Sequence, residues 1–198
     1  MAKGFTLSEM ADRIAALDGR DATRVHAQLR NPSIKQLLQP IAADRGKTTA
    51  VTFSAVEVIR ARLATVLIDI GHDAATVASA LAPLDRTVRP GFRGDEIIYP
   101  ESFKVPDLAS LHGLSGLDAA VRGVRSHDEE WELRIQFTRP HGGDREVRAH
   151  LAVASWDRDD AQTREMLADS HGCTHLGDLT IPLNPLIAPL LSEIATED

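Results

Sequence analysis

Residues 1–85 alternate short helix-forming segments with closely spaced helix-breaking signals, and this order constrains the fold more than any other feature of the sequence. Between Leu7 and Leu17, apolar residues recur at three- and four-residue spacing, which is typical of one face of a helix. A second helix is predicted over residues 22–30, and Pro32 prevents it from continuing further. The pattern predicts a small helical module at the start of the chain.

A strand-forming segment and two more helices complete this module. Residues 44–53 predict a short hairpin with a basic tip, because β-forming residues follow a Gly-containing turn. Ser54 and Glu57 have the spacing of a helix capping box, and the apolar stripe behind them ends at Gly71. A further helix is predicted over residues 74–81. The order is therefore helix, turn, helix, basic hairpin, long helix and short helix.

This order resembles the winged helix-turn-helix domain of MerR-type transcription regulators. The segments that carry the resemblance are FTLSEMADRIAAL (Phe5–Leu17), ATRVHAQLRN (Ala22–Asn31), RGKTTAVTF (Arg45–Phe53) and SAVEVIRARLATVLIDIGHDAATVASAL (Ser54–Leu81). The resemblance is one of pattern and order, and it is confined to the N-terminal part of the chain. It implies that residues 22–30 form a recognition helix and that residues 44–53 form a wing, both in contact with duplex DNA.

Two features depart from the family pattern. The Arg-Tyr-Tyr that family members carry after the turn is replaced by Arg24-Val25-His26. The long antiparallel coiled-coil dimerisation helix is missing, since a Pro- and Gly-rich stretch interrupts any heptad run after Leu84. Either the remainder of the chain dimerises differently, or the protein is an atypical relative such as a prophage-borne regulator.

The candidate DNA-contacting residues follow from the needs of such a domain. A recognition helix needs hydrogen-bond donors that reach base edges and cations that neutralise phosphates, and a wing needs a compact turn with projecting cations. The residues that meet these needs on the second helix, on the wing and on the long helix are Thr23, Arg24, His26, Gln28, Arg30, Arg45, Lys47, Thr48 and Arg60. Each of them alone reads equally well as a solvated polar residue, whereas the set in this order favours nucleic-acid binding.

The distribution of charge agrees with an anionic partner for the N-terminal half. The chain has a formal net charge of −7. Residues 1–90 nevertheless hold 12 Lys and Arg against 9 Asp and Glu, whereas residues 91–198 hold 10 against 20. Positive charge reserved for one half of an acidic chain favours DNA as the partner of that half, because phosphate contacts supply much of the affinity for a duplex.

The acidic half has a different pattern. Residues 86–125 are rich in Pro and Gly and read as a linker or irregular segment, with a short helix around residues 117–121. From Trp131 onward, apolar and polar residues alternate to residue 138, and residues 146–155 alternate in the same way after a turn. This pattern predicts an antiparallel β-hairpin in an acidic α+β domain over residues 126–198 that dimerises or responds to an effector.

Composition narrows the class of protein. A hydrophobic fraction of 43% with 26% charged residues is normal for a globular domain. Cys173 is the only cysteine, which excludes an intrachain disulfide and fits a reducing compartment. The polar start of the chain and the lack of a long apolar run predict neither a signal peptide nor a membrane span. We therefore expect a cytoplasmic protein without a membrane partner.

One cluster has the chemistry of a metal site. On an extended strand His171, Cys173 and His175 would point the same way, with His141 or His150 as a possible fourth ligand. The surrounding turn-like residues favour an exposed loop instead, so no metal ligand and no cofactor is predicted. Cys173 with either histidine lacks a partnered acid and an oxyanion-hole turn, so the chain is not expected to be an enzyme.

The sequence thus predicts an α+β protein in which a mostly helical winged helix-turn-helix domain, residues 1–85, precedes a smaller α/β segment with an antiparallel β-hairpin. The predicted function is sequence-specific binding of double-stranded DNA in transcription regulation, as a homodimer. The alternative is a non-enzymatic protein-interaction or accessory module that uses the same N-terminal domain. No small-molecule effector is predicted from the sequence.

Overall fold

The computed structural model describes residues 4–41, 51–85, 91–93, 96–98, 103–104, 114–126, 130–153 and 172–195. The fold mixes helices with sheet, as predicted for an α+β chain. It divides into two compact units: one comprises Met1–Leu81 with Leu186–Asp198, and the other comprises Ala82–Pro185. No helix in the described part of the chain has the length and apolar character that crossing a bilayer requires.

The regular elements are numbered in chain order. The α-helices are α1 (Leu7–Asp18), α2 (Ala22–Leu29), α3 (Pro32–Leu37), α4 (Ala55–Asp69), α5 (Ala74–Leu81), α6 (Gly116–Ser126) and α7 (Asn184–Ala195). The strands are β1 (Gly91–Arg93), β2 (Glu96–Ile98), β3 (Phe103–Lys104), β4 (Trp131–Pro140), β5 (Glu146–Val153) and β6 (Cys173–Pro182). A 3₁₀ turn, Ala82–Asp85, follows α5.

The first helix begins and ends as its sequence predicts. The Thr6 N–H donates to Glu9 Oε2 at 2.7 Å, and the Glu9 N–H donates to Thr6 Oγ1 at 3.3 Å, so both bonds of a capping box are present. Gly19 ends the helix with φ 63°, a left-handed conformation that side chains with a Cβ adopt reluctantly. Local sequence signals therefore fix the length of α1.

The start of α5 is capped by Asp73. Its carboxylate accepts hydrogen bonds from the Thr76 hydroxyl at 2.6 Å, from the Thr76 N–H at 2.9 Å and from the Ala75 N–H at 3.0 Å. The Thr76 hydroxyl, followed by these backbone donors, holds the pKa of Asp73 below its usual value, because all of them favour the charged carboxylate. The helix break that the sequence predicts at Gly71 is thus followed by a helix with its own N-terminal cap.

Short backbone bridges join three separate parts of the first unit. The Phe5 N–H donates to the Phe53 carbonyl at 2.9 Å, and the Phe53 N–H donates to the Phe5 carbonyl at 2.8 Å. Pro40 also bridges Phe53, and the Ile41 N–H donates to the Thr52 carbonyl at 2.7 Å. Residues 41 and 52 are therefore held together in antiparallel fashion. Residues 42–50, which include the predicted basic turn, lie outside the described residues.

Helix α4 is buried on more than the one face that its apolar stripe predicts. Its apolar positions Val58, Ile59, Leu63 and Leu67 are buried, and α1, α2 and α5 pack against it. Buried residues also include charged ones. Arg62, whose side chain is 7% exposed, donates to Asp18 Oδ1 through Nε at 3.1 Å and through Nη2 at 2.5 Å. The helix can be central because its charges have partners within the unit.

The C-terminal helix α7 contributes to the first unit from Leu186 onward. Arg62 donates a hydrogen bond through Nη1 to the Leu186 carbonyl, and Arg13 lies 3.8 Å from Glu193. The contacts group Leu186–Asp198 with the first unit, whereas the sequence prediction treats residues 126–198 as one acidic domain. Position along the chain does not reveal this grouping, because Arg62 and Leu186 are more than a hundred residues apart.

The second unit contains a four-stranded sheet in the order β3-β5-β4-β6. Strands β4 and β5 form the predicted antiparallel hairpin, with Trp131 opposite Val153 and Thr138 opposite Glu146. Strand β4 also pairs antiparallel with β6, so both of its edges are occupied. The short β3 pairs parallel with β5 through Phe103. The hairpin prediction is confirmed, but β4 offers no open edge to a second copy.

The stretch from 86 to 125 contains more structure than a linker. Strands β1 and β2 pair antiparallel, and α6 packs against β4. Trp131, 2% exposed, lies so close to α6 that a Cβ on Gly123 would approach the Trp131 Nε1 to 2.0 Å. A glycine on this helix therefore permits the contact between helix and sheet. Residues 159–168, whose sequence pattern predicts a further helix, lie outside the described residues.

Candidate nucleic-acid interface

Helix α2, the predicted recognition helix, has one buried and one exposed face. Its start is capped by Asp21, whose Oδ1 accepts from the Thr23 N–H at 2.9 Å. Val25 and Leu29 are fully buried, and α2 packs against α1 and α4. The spacing of four residues between these two apolar side chains fixes which face of the helix is turned away from the unit.

The polar side chains of α2 occupy the other face to different degrees. Thr23, Arg24 and Arg30 are exposed, whereas His26 and Gln28 are half-buried. The side chain of Arg24 is 69% exposed, and its Nη2 lies 3.4 Å from Asp69 Oδ1. An ion pair this exposed contributes little in water, so Arg24 can exchange its partner for a phosphate or a base edge.

Gln28 is engaged within the protein at both ends of its amide. Its Nε2 donates to Asp69 Oδ1 at 3.0 Å, and its Oε1 accepts from Arg20 Nη2 at 2.7 Å. Arg20 in turn lies 2.7 Å from Asp69 Oδ2. These bonds join α2, the turn before it and the end of α4. Gln28 therefore links these elements, and its side chain would have to give up these hydrogen bonds to turn toward a base.

Arg60 is a correction to the predicted interface. Its side chain is 3% exposed, and its Nε lies 3.1 Å from Glu57 Oε2. The same carboxylate oxygen accepts from the Gln39 N–H at 3.1 Å. A guanidinium buried in this way cannot reach a DNA backbone, because removing it from Glu57 would leave a buried charge unpaired. The capping-box spacing of Ser54 and Glu57 is likewise only half used, since Glu57 faces Arg60.

The wing residues Arg45, Lys47 and Thr48 lie outside the described residues, and the interface prediction for them stays a prediction. What the structure describes is the base of that segment. The hydrogen bond between Ile41 and Thr52, together with the bridges of Phe53, brings the two ends of the segment together. Antiparallel pairing at both ends is the arrangement that a hairpin requires.

Sequence reasoning missed Asp69, which contacts two of the predicted residues, and Arg20, which contacts one of them. Asp69 contacts both Arg24 and Gln28, although 45 and 41 residues separate it from them. No local pattern marks such a contact. The useful signal is the sign of the charge, since an exposed cation on a packed helix is often matched by an acid on its neighbour.

The histidine and cysteine cluster differs from its predicted loop. Cys173 and His175 lie on β6. The sequence predicts a short strand at residues 179–182 only, which is the C-terminal end of β6. Cys173 is buried, and His175 Nε2 lies 3.1 Å from Asp178 Oδ1. His171 lies outside the described residues. Among those described, no group of three or more His, Cys, Asp or Glu side chains is placed to hold a metal ion.

The α2 face therefore combines an exposed arginine, exposed neighbours that can donate hydrogen bonds, and an acid that accepts a hydrogen bond from the half-buried Gln28. Its chemistry suits a ligand with negative charge and hydrogen-bonding edges. Comparison of the chain with protein-family models, with curated proteins and with solved structures finds no match in any of the three.

Proposed function

We propose that this protein binds double-stranded DNA in a sequence-specific manner and regulates transcription, with α2 as the recognition helix and residues 44–53 as the wing of a winged helix-turn-helix domain. The observation that carries the proposal is the exposed face of α2. There Thr23, Arg24 and Arg30 are exposed on a short capped helix whose opposite face is buried. Such a helix can enter a major groove without unpacking the unit behind it.

The paired backbone around Phe53 supports the wing. Ile41 and Thr52 are hydrogen-bonded across a segment that contains Arg45 and Lys47. A basic segment anchored at both ends can contact a phosphate backbone while the recognition helix contacts bases. Arg60 is no part of the proposed interface, because it is buried against Glu57.

The proposal includes a homodimer in the cytoplasm, since operators are commonly bound by proteins with twofold symmetry. The second unit, which is acidic in sequence, is the proposed site of dimerisation or effector binding. Because β4 is paired on both sides, dimerisation would use another surface than the edge of that strand. Sedimentation of the intact chain measures the assembly state, and a monomer at all concentrations would remove the dimer from the proposal.

Arg24→Ala is expected to weaken binding to a selected duplex by about tenfold and to relax its sequence preference, because an arginine that contacts a base contributes to both. Equilibrium titration against the selected duplex and a scrambled one measures the two effects. Ser8→Ala is a control for a substitution at an exposed position of α1. Lys35→Ala is a second control, because Lys35 is exposed on α3 and its replacement also removes one positive charge. If Arg24→Ala changes sequence preference no more than these two controls do, α2 is not the recognition helix.

Lys47→Ala is expected to act differently, by weakening binding to every duplex and reducing the slope of log affinity against log salt by about one. A change in sequence preference without a change in slope would contradict a phosphate contact. If the intact wild-type chain binds duplex weakly and without salt dependence, the interaction-module alternative is favoured over DNA binding.

A further inference from the structure

Asp69 places a negative charge on the face that would meet DNA. It is the last residue of α4, and its carboxylate contacts side chains of α2 and of the turn before α2. Oδ2 lies 2.7 Å from Arg20 Nη2, and Oδ1 accepts from Gln28 Nε2 at 3.0 Å and lies 3.4 Å from Arg24 Nη2. An acid beside the main exposed cation of a DNA-binding face opposes phosphate contacts.

The three contacts of Asp69 differ in how readily they exchange. Arg20 is 16% exposed and also donates to Gln28 at 2.7 Å, so these two side chains hold each other as well as Asp69. Arg24 is 69% exposed and has the longest of the three contacts. A phosphate that approaches this face would therefore displace Arg24 from Asp69 before it disturbed Arg20 or Gln28.

We propose that Asp69 is an internal competitor of DNA, which pairs with Arg24 in the free protein and thereby weakens binding to the phosphate backbone. This inference rests on the proposed function. Any duplex that takes Arg24 must first displace Asp69, so the pairing opposes binding to a random site and to a selected one alike. Its effect is read most directly on a random duplex, where phosphate contacts supply the affinity.

The test is Asp69→Asn, which removes the charge and keeps an oxygen that can accept from Arg20. We expect this variant to bind a random-sequence duplex about three- to fivefold more tightly than the wild type. The slope of log affinity against log salt should become steeper by about one, because Arg24 is released to a phosphate. The affinity for a selected duplex should rise by a similar factor, because Arg24 leaves Asp69 there as well.

Asp12→Asn is the matched control. Asp12 is exposed on α1, and its substitution makes the same change in net charge within the same unit. We expect it to change affinity for the random duplex by less than about twofold, since exposed charges at a distance are screened by salt. In an Arg24→Ala background, Asp69→Asn should give no gain. An equal gain with and without Arg24 would overturn the proposed pairing.

The outcomes separate this inference from the proposed function. If wild-type protein binds duplex and Asp69→Asn matches Asp12→Asn, the inference is overturned and DNA binding stands. If neither the wild type nor any variant binds duplex at low salt, both fail. Circular dichroism and thermal unfolding check that each variant is folded. If Asp69→Asn is not folded, Asp69→Ser takes its place, with the same results expected.

Discussion

Replacing Arg62 with methionine is expected to lower the free energy of unfolding by about 3 kcal/mol. The substitution keeps most of the side-chain volume but leaves Asp18, 14% exposed, without the guanidinium that lies 2.5 Å from its carboxylate. It also removes the donor to the Leu186 carbonyl. Breaking a buried ion pair on one side is costly because the remaining charge keeps its desolvation penalty. Chemical denaturation with far-UV circular dichroism measures the loss.

Two further variants isolate this effect. Arg24→Met removes an arginine from an exposed pair with Asp69, and we expect it to cost less than about 1 kcal/mol. Adding Asp18→Asn to Arg62→Met should recover part of the stability, because it removes a carboxylate that retains only a 4.0 Å contact with Arg20 Nη1. A loss for Arg62→Met no greater than that for Arg24→Met would show that the contact between Arg62 and Asp18 does not hold the first unit together.

Gly123→Ala is expected to destabilise the second unit by about 2 kcal/mol, although the same change in an exposed helix interior usually stabilises. The added Cβ would lie 2.0 Å from Trp131 Nε1. The clash is hard to relieve, because the Trp131 side chain is buried and its backbone is held in place. The Trp131 backbone N–H donates to Asn184 Oδ1, and the Leu183 N–H donates to the Trp131 carbonyl, both at 2.8 Å. Thermal unfolding, monitored by tryptophan fluorescence, measures the effect.

A double-mutant cycle separates the clash from other effects. Trp131→Phe shortens the aromatic side chain, so Gly123→Ala should cost less in that background than in the wild type. An unchanged or increased stability of Gly123→Ala alone would mean that α6 does not lie against Trp131 as the structure has it.

Local signals predicted much of the secondary structure. The apolar periodicity between Leu7 and Leu17 predicted α1, and the alternation from Trp131 to Thr138 predicted β4. Both signals depend on residues that are close in sequence, and both concern side chains whose burial follows the period of the element. Pairing of β4 with β5 followed because only a short turn separates them.

Most of strand β6 was not predicted, because its sequence lacks the apolar alternation of a strand with one face in the core. From Thr174 to Thr180 its side chains are exposed or half-buried, and Gly177 adopts a positive φ where the pairing with β4 shifts register. Polar residues with glycines predict a loop from sequence alone. The backbone pairing with β4, which no local pattern encodes, makes this segment a strand.

In the candidate site, too, the exposed residues could be predicted from sequence and the buried ion pairs could not. The exposure of Thr23 and Arg24 could be predicted, because the apolar Val25 and Leu29 mark the other face of α2 as the buried one. The burial of Arg60 and Arg62 does not follow from their sequence neighbourhood, because a charged side chain is expected at the surface unless its partner is known. For Arg62 that partner, Asp18, lies 44 residues away.

DNA recognition by α2 is tested most directly by letting the intact protein select bound sequences from a pool of random duplexes at moderate salt. We expect successive rounds to enrich a common sequence, and the Arg24→Ala variant to enrich it less strongly. Retention of no duplex even at low salt, or retention without any enriched sequence, would contradict the proposal that the α2 face recognises DNA.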